Sequence, residues 1–176
     1  MAGFCAAPQT ESYFGCDPNQ NLFEGYTEQV KTYSGSKKIV MVNADAEDID
    51  FAKERFDTVF TSPPFYRTER YTADENQSWK RHKTFEAWTE RFLFKVIEQS
   101  WSSLKPKGFL AINLADVYSE GQVHKICDAT NDFIANLPNA EYVCGVGLRI
   151  HNRPNKAKIK GKINSEIVWI FRKQGK

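Results

Sequence analysis

The sequence predicts an α/β protein built on an open, mostly parallel sheet with helices on both faces. Three observations carry this. Short β-branched, apolar runs alternate with segments of helical period. The last two strand-like runs have no helix between them, which predicts an antiparallel closing pair. The chain has 176 residues, 41% hydrophobic and 26% charged, enough for the core of one domain and unlike a disordered chain.

Taken in order, residues 12–16 (SYFGC) predict a strand ending at Asp17-Pro18-Asn19. Leu22, Tyr26, Gln29 and Val30 then recur at helical spacing over residues 21–33. Residues 38–43 (KIVMVN) read as a buried strand, and residues 47–55 as a short helix. Residues 57–61 (DTVFT) form another strand, which runs into Ser62-Pro63-Pro64-Phe65. Residues 66–83 are polar and lack a period, and a connection of that length is usually functional or mobile. A long helix follows, with Thr84 as its N-cap and Phe85, Trp88, Phe92, Val96 and Leu104 on one face. Lys105-Pro106-Lys107-Gly108 stops it, and residues 109–114 (FLAINL) are a buried strand. Residues 123–137 repeat Val123, Ile126, Cys127, Thr130, Ile134 and Leu137 at helical spacing. Strands over 142–150 and 166–171 close the chain, joined by a basic connection. The order is β-α-β-α-β-loop-α-β-α-β-β, and ligands of such sheets sit beyond the carboxyl ends of the strands.

Chemistry concentrates at those ends. Two successive prolines cannot continue a central strand, because neither has an N–H to donate. They fix a rigid, extended backbone, with a polar residue before them and an aromatic after. Thr61-Ser62-Pro63-Pro64-Phe65 therefore suits gripping a planar group that bears an NH2. The Ser62 hydroxyl and the Pro63 carbonyl can accept its hydrogens, and Phe65 can stack on the ring, worth about 1–3 kcal/mol for a base.

In this setting the chain resembles the amino-methyltransferases of DNA, which methylate cytosine N4 or adenine N6 using S-adenosylmethionine. Their fourth motif, [D/N/S]-P-P-[Y/F/W], matches Ser62-Pro63-Pro64-Phe65, and the serine leans towards the cytosine-N4 enzymes. The resemblance implies that Asp17, with Asn19, binds the cofactor's ribose hydroxyls and that Asp45, with Ala46, meets its adenine end. Thr61 is implied beside the cofactor, and Ser62, Pro63, Pro64 and Phe65 as the catalytic loop. Residues 103–109 (SLKPKGF) match the helix-turn-strand that precedes the family's fifth strand. The implied fold is the Rossmann-like class I methyltransferase sheet, as a single catalytic domain over 1–176 with no separate target-recognition domain. The implied partner is double-stranded DNA whose base is flipped out of the stack. RNA or a protein amide as acceptor, and an inactive remnant or partner subunit that binds nucleic acid, are the alternatives.

One departure matters. The family's Phe-x-Gly-x-Gly loop after strand one is absent, and Met1-Ala2-Gly3-Phe4-Cys5-Ala6-Ala7 reads as the helix that would follow it. Gly145-Val146-Gly147 lies inside a late strand and reads as a bulge or packing feature. The expectation is a chain that begins after that loop, or one half of a split gene. The missing strand would come from an N-terminal segment or a partner subunit, and the isolated chain would bind the cofactor weakly or not at all.

Charge is uneven. Residues 149–176 hold nine Lys or Arg against one Glu, while the rest of the chain holds 15 basic and 21 acidic residues. Tyr66, Arg67, Arg70, Lys80 and Arg81, and in the later basic run Arg153, Lys156 and Lys158, are the candidate nucleic-acid contacts. His82, His124 and His151 have no partners at metal-ligand spacing, so no metal is expected. Four scattered Cys without a CxxC pair argue against a disulfide scaffold, and no run of about 18 apolar residues is present to cross a membrane. The expected location is the cytoplasm.

Overall fold

Residues 1–51, 56–71, 73–149 and 165–175 are described in a computed structural model. The chain divides into two compact units, Met1–Ile49 and Asp50–Lys176.

In the first unit, helix α1 (Ala2–Ala6) leads to strand β1 (Ser12–Asp17), a 3-10 turn (Gln20–Leu22), helix α2 (Phe23–Tyr33) and strand β2 (Lys38–Asn43). The strands are parallel, in register from Ser12 opposite Lys38 to Asp17 opposite Asn43. Parallel neighbours need a crossover, which α2 supplies. Gly35, at φ +55, provides the left-handed residue that ends the helix and turns the chain into β2. Lys37 ties the N-terminal segment down. Its Nζ donates to the Phe4 carbonyl at 3.0 Å and to the Thr10 hydroxyl at 2.6 Å, and also reaches the Ala7 carbonyl. The helix expected over 47–55 does not form in its described part. Asp48 N–H instead closes a turn on the Asp45 carbonyl at 3.0 Å, and residues 49–51 are irregular. Two aspartates within four residues favour this turn over helix, since their side chains compete for local backbone groups. Residues 52–55 lie outside the described residues.

In the second unit, β3 (Phe56–Thr61), β4 (Leu104–Leu114), β7 (Ala140–Arg149) and β8 (Ser165–Lys173) form a sheet in the order β3-β4-β8-β7. β3 and β4 are parallel, while β8 runs antiparallel to both β4 and β7. The closing antiparallel pair expected from the sequence is therefore present. The late-strand irregularity falls between Tyr142 and Cys144 rather than at the glycine pair. Among the described residues β1 carries one ladder, to β2, and β3 one ladder, to β4.

Between β3 and β4 come a short helix α3 (Ser78–Arg81) and one long helical run. That run comprises α4 (Phe85–Trp88), a π-helical stretch (Thr89–Leu93) and α5 (Phe94–Ser103). Thr84 caps it as expected, its hydroxyl accepting from Ala87 N–H at 3.1 Å. Leu104 is the first residue of β4 and not the last of the helix. After β4 the chain makes a hairpin, β5 (Val117–Ser119) and β6 (Gln122–His124), before α6 (Ile126–Ala135). Val123, expected in the helix, belongs to the hairpin.

The core of this unit lies between the sheet and its helices. Trp88, Leu93, Ile97, Leu110, Ile112, Ile126 and Ile134 are fully buried. Each such side chain contributes about 1.5–3 kcal/mol on burial. Phe94 and Phe133 stack at 3.9 Å, joining α5 to α6. No helix among the described residues is long and apolar enough to cross a membrane.

Candidate active site

The first unit gathers its acids at the carboxyl end of its parallel pair. Asp17 is the last residue of β1, and Asp45 follows β2 by two residues. Asp17 Oδ1 accepts from Asn19 N–H at 2.8 Å, and Oδ2 accepts from the Tyr26 hydroxyl at 2.8 Å. These bonds fix the carboxylate and leave each oxygen a lone pair. Tyr26 is pushed up to about 12, first by desolvation and then by its bond to Asp17. Burial first, and then the charges of Asp17 and Asp45, push the Cys16 thiol up to about 11. Asn19 spends its amide oxygen on Asn21 N–H at 3.1 Å, capping the 3-10 turn. Ala46 sits in the turn after Asp45. An acid at the end of β1, held by two donors yet with acceptor capacity left, fits a ligand that presents hydroxyl or amine hydrogens. The ribose and adenine of S-adenosylmethionine are such a ligand.

The second unit presents the Pro-Pro loop at the end of β3. Thr61 is half-buried, in register with Ile112 of β4. Ser62 is exposed, Pro63 buried, and Pro64 and Phe65 half-buried. The Ser62 hydroxyl donates to Asn113 Oδ1 at 3.1 Å. Asn113 is itself buried in β4 and donates Nδ2–H to the Ile167 carbonyl at 3.1 Å. Past the prolines, Phe65 N–H donates to Glu69 Oε2 at 2.9 Å, and Thr68 N–H closes a turn on the Phe65 carbonyl at 3.2 Å. Arg67 in that turn takes φ +52, a left-handed conformation that costs a non-glycine residue on the order of 1–3 kcal/mol.

The expected nucleic-acid contacts divide. Tyr66 is 1% exposed, its ring packed against Phe85, Trp88 and His124 at 5.1–5.7 Å between centroids. It is a core side chain, and its expected place on a binding surface is corrected. The apolar partners outweigh its hydroxyl, which finds Glu120 at 3.3 Å and the Lys83 carbonyl at 3.4 Å. Arg67 pairs with Glu120 and also donates to the Lys83 carbonyl. Arg70 lies over the Trp79 ring at 4.8 Å, and Lys80 over the same ring at 5.7 Å while pairing with Glu75 at 2.7 Å. Together Arg67, Arg70, Glu75, Trp79, Lys80 and Lys83 line an open cleft of about 380 Å³. Four cations against one carboxylate make it attractive to an anion. Arg81 is exposed on α3. Arg153, Lys156 and Lys158 lie outside the described residues.

Sequence reasoning missed three residues that organise this loop: Asn113, Glu69 and Glu120. Only Asn113 left a signal, as the one polar side chain in the apolar run FLAINL. Among the described residues no group of three or more His, Cys, Asp or Glu could hold a metal ion.

No protein-family model matches the chain, and no curated protein matches its sequence. Solved structures do match in fold. The N-methyltransferase NodS from Bradyrhizobium japonicum WM9 aligns with a TM-score of 0.57 and 12% identity, over 96% of this chain and 77% of NodS. NodS is also known in complex with S-adenosyl-L-homocysteine. An rRNA methylase from Streptococcus thermophilus aligns at 0.51 and 12%, over 92% of this chain and 73% of its own. A protein provisionally designated a DNA modification methylase, from Thermus thermophilus, aligns at 0.50 and 21%, over 76% of this chain and 52% of its own. The chain is thus similar to methyltransferases in its fold.

Proposed function

We propose that this chain carries out transfer of a methyl group from S-adenosylmethionine to the exocyclic amine of a flipped DNA base, with cytosine N4 favoured over adenine N6. The observation that carries the reading is the Ser62 hydroxyl, exposed at the end of β3 and held by the buried Asn113, at the head of a Pro-Pro loop. The fold shared with methyltransferases supports it.

S-adenosylmethionine supplies a methyl group on a sulfonium, which needs no further activation. Asp17 would accept from ribose hydroxyls, and Asp45 from the adenine end. At the other substrate, the amine lone pair is delocalised into the ring and is a poor nucleophile. Ser62 Oγ and the Pro63 carbonyl accept the two amine hydrogens, which localises the lone pair on nitrogen. Phe65 stacks on the ring and stands in for the neighbouring bases that a flipped nucleotide has left. Holding nitrogen and methyl near 3–3.5 Å in line supplies much of the remaining acceleration. The nitrogen would gain the methyl as the carbon–sulfur bond breaks and the sulfur leaves as a neutral thioether; the cationic amine would then release one proton to water, and no covalent enzyme intermediate is required. The basic cleft after Phe65 would take the phosphates on either side of the flipped base.

The test is transfer of a labelled methyl group to DNA and RNA of one sequence, each single- and double-stranded, with a calorimetric titration of the cofactor alongside. We expect transfer to DNA. Ser62→Ala should lower kcat by at least about tenfold, the equivalent of ~1.4 kcal/mol at the transition state. Phe65→Ala should mainly raise KM. Transfer to RNA alone would move the assignment to RNA. Cofactor binding and transfer both absent would leave a nucleic-acid-binding role instead.

A further inference from the structure

The two hydrogen bonds of Asn113 determine more than the position of Ser62. The side-chain atom that faces the Ile167 carbonyl must be the amide nitrogen, since two oxygens cannot share a hydrogen bond there. The atom that faces Ser62 is then the amide oxygen, which only accepts. The Ser62 hydroxyl must spend its single hydrogen on Asn113, and both lone pairs of Oγ are left to meet a substrate. Burial makes the choice costly to reverse. Asn113 is 6% exposed, so turning its amide over would set oxygen against oxygen where little water can intervene.

We propose that Asn113 is a specificity-determining positioning residue that makes Ser62 an obligate acceptor, so that the loop takes a base edge bearing an amine and refuses one bearing a carbonyl. The proposal rests on reading the Ser62 loop as the amine site. A serine left to itself would not discriminate, because its hydroxyl turns freely and can donate to a carbonyl as readily as it accepts from an amine. At the position that meets Ser62, cytosine and uracil exchange NH2 for C=O; their neighbouring N3 also differs, an acceptor in cytosine and an N–H in uracil, so the change of preference on substituting Asn113 is what reports the Ser62 contact. The relay Ile167 carbonyl–Asn113–Ser62 thereby converts a promiscuous hydroxyl into a polar filter. A site built to accept a hydrogen leaves lone pairs facing each other when the wrong base enters, and such mismatches discriminate better than shape does.

The experiment compares binding of the full chain to single-stranded oligo-deoxycytidine and oligo-deoxyuridine of equal length by fluorescence anisotropy. Phosphate contacts are common to both, so the affinity ratio isolates the base edge. The wild-type chain should favour deoxycytidine by about tenfold, the equivalent of one hydrogen bond at 1.4 kcal/mol per decade. Asn113→Leu, similar in size but unable to accept, should bring the ratio close to one by improving deoxyuridine binding. A merely structural role would weaken both ligands together. Should the Leu variant fail to fold, Asn113→Ala serves in its place, since a water filling the gap both donates and accepts. A wild-type ratio near one overturns the proposal, as does a Leu or Ala variant that keeps the wild-type ratio. Methyl transfer is measured on the same samples. Transfer without any change of ratio in the Asn113 variants would sink this inference and leave the function standing. A ratio that responds as described, without transfer, would sink methylation and leave the filter.

Discussion

Gly108 has no room for a methyl group. A Cβ there would lie 2.9 Å from the Lys105 carbonyl and 3.1 Å from the Asp57 carbonyl, both backbone atoms that cannot swing aside. The preceding Lys107 takes φ +70, which glycine would adopt at less cost. The two positions therefore predict opposite effects. Gly108→Ala should destabilise by about 1–3 kcal/mol, and Lys107→Gly should be neutral or stabilise by up to about 1 kcal/mol. Urea midpoints of the two variants check both signs. The sequence marked Gly108 as a turn residue; the structure places it inside β4 instead, where the register against β3 shifts between the Phe56–Leu104 and Thr58–Phe109 pairs. The reason for a glycine there, the close passage of two carbonyls, depends on β3 lying beside β4 and is invisible in a local reading. Asn113 is the same kind of case. An amide in an apolar strand announces that something polar is nearby, but its partners, Ser62 and Ile167, lie 51 and 54 residues away. The thiols divide by environment as well. Cys144 is exposed, whereas burial first and nearby carboxylates second push Cys16 and Cys127 up to about 11. Alkylation at pH 8 followed by mass spectrometry should mark Cys144 well before the other two.

Among the elements, strands and helices with strong periods were legible to within a residue or two: β1, β2, β3, α2 and the capped helix at Thr84. The hairpin β5–β6 was not. Each of its strands has three residues, and Val123 falls on the helical spacing of Ile126, Thr130 and Ile134, so the longer pattern absorbed it. The hairpin matters because its turn carries Glu120, with φ +54, and Gly121, with φ +81. Glu120 is the shared acceptor of Tyr66 and Arg67. A loop that the sequence presents as irregular is therefore fastened at its start by a hairpin more than fifty residues on. Glu120→Ala should leave Arg67 only its bond to the Lys83 carbonyl and loosen residues 67–71, while Tyr66 and the aromatic cluster stay packed. Limited trypsin digestion should then cut after Arg67 and Arg70 several-fold faster than in the wild type, with an unchanged melting temperature to within a few degrees.

At the scale of the molecule, the two units differ in what they bury. Among the described residues, every fully buried apolar side chain belongs to Asp50–Lys176, and none lies in Met1–Ile49. Fewer than 50 residues also leave little surface to remove from water. Amide hydrogen exchange should therefore be faster in β1 and β2 than in β4 and β8 by at least about tenfold, which is ~1.4 kcal/mol of opening free energy. Equal protection across both units would contradict this. Alkali should destabilise the fold as well. Cys16 and Cys127 ionise near 11 when folded, above their ordinary thiol value, so the unfolded chain releases those protons first. Their contribution is intact below the ordinary thiol range and is lost as pH rises through about 11. Thermal melts at pH 8, 9.5 and 11 should show the decline, and it should shrink in a Cys16→Ala, Cys127→Ala double variant.

Among the described residues, strand β7 lies at the rim of the four-stranded sheet, with every side chain from Glu141 to Leu148 exposed. Tyr142, Val143, Val146 and Leu148 make most of that stretch apolar, with Glu141 the one charge among these eight residues. Its outer backbone groups and its side chains together form a template for a further strand of any origin. Handling of the protein follows from that. Concentrated samples should self-associate through this rim in preference to the charged cleft, and salt should promote the process by screening net charge. A lysine in place of Val146 is the economical remedy, since it adds charge to the rim and leaves the Ser62 loop untouched.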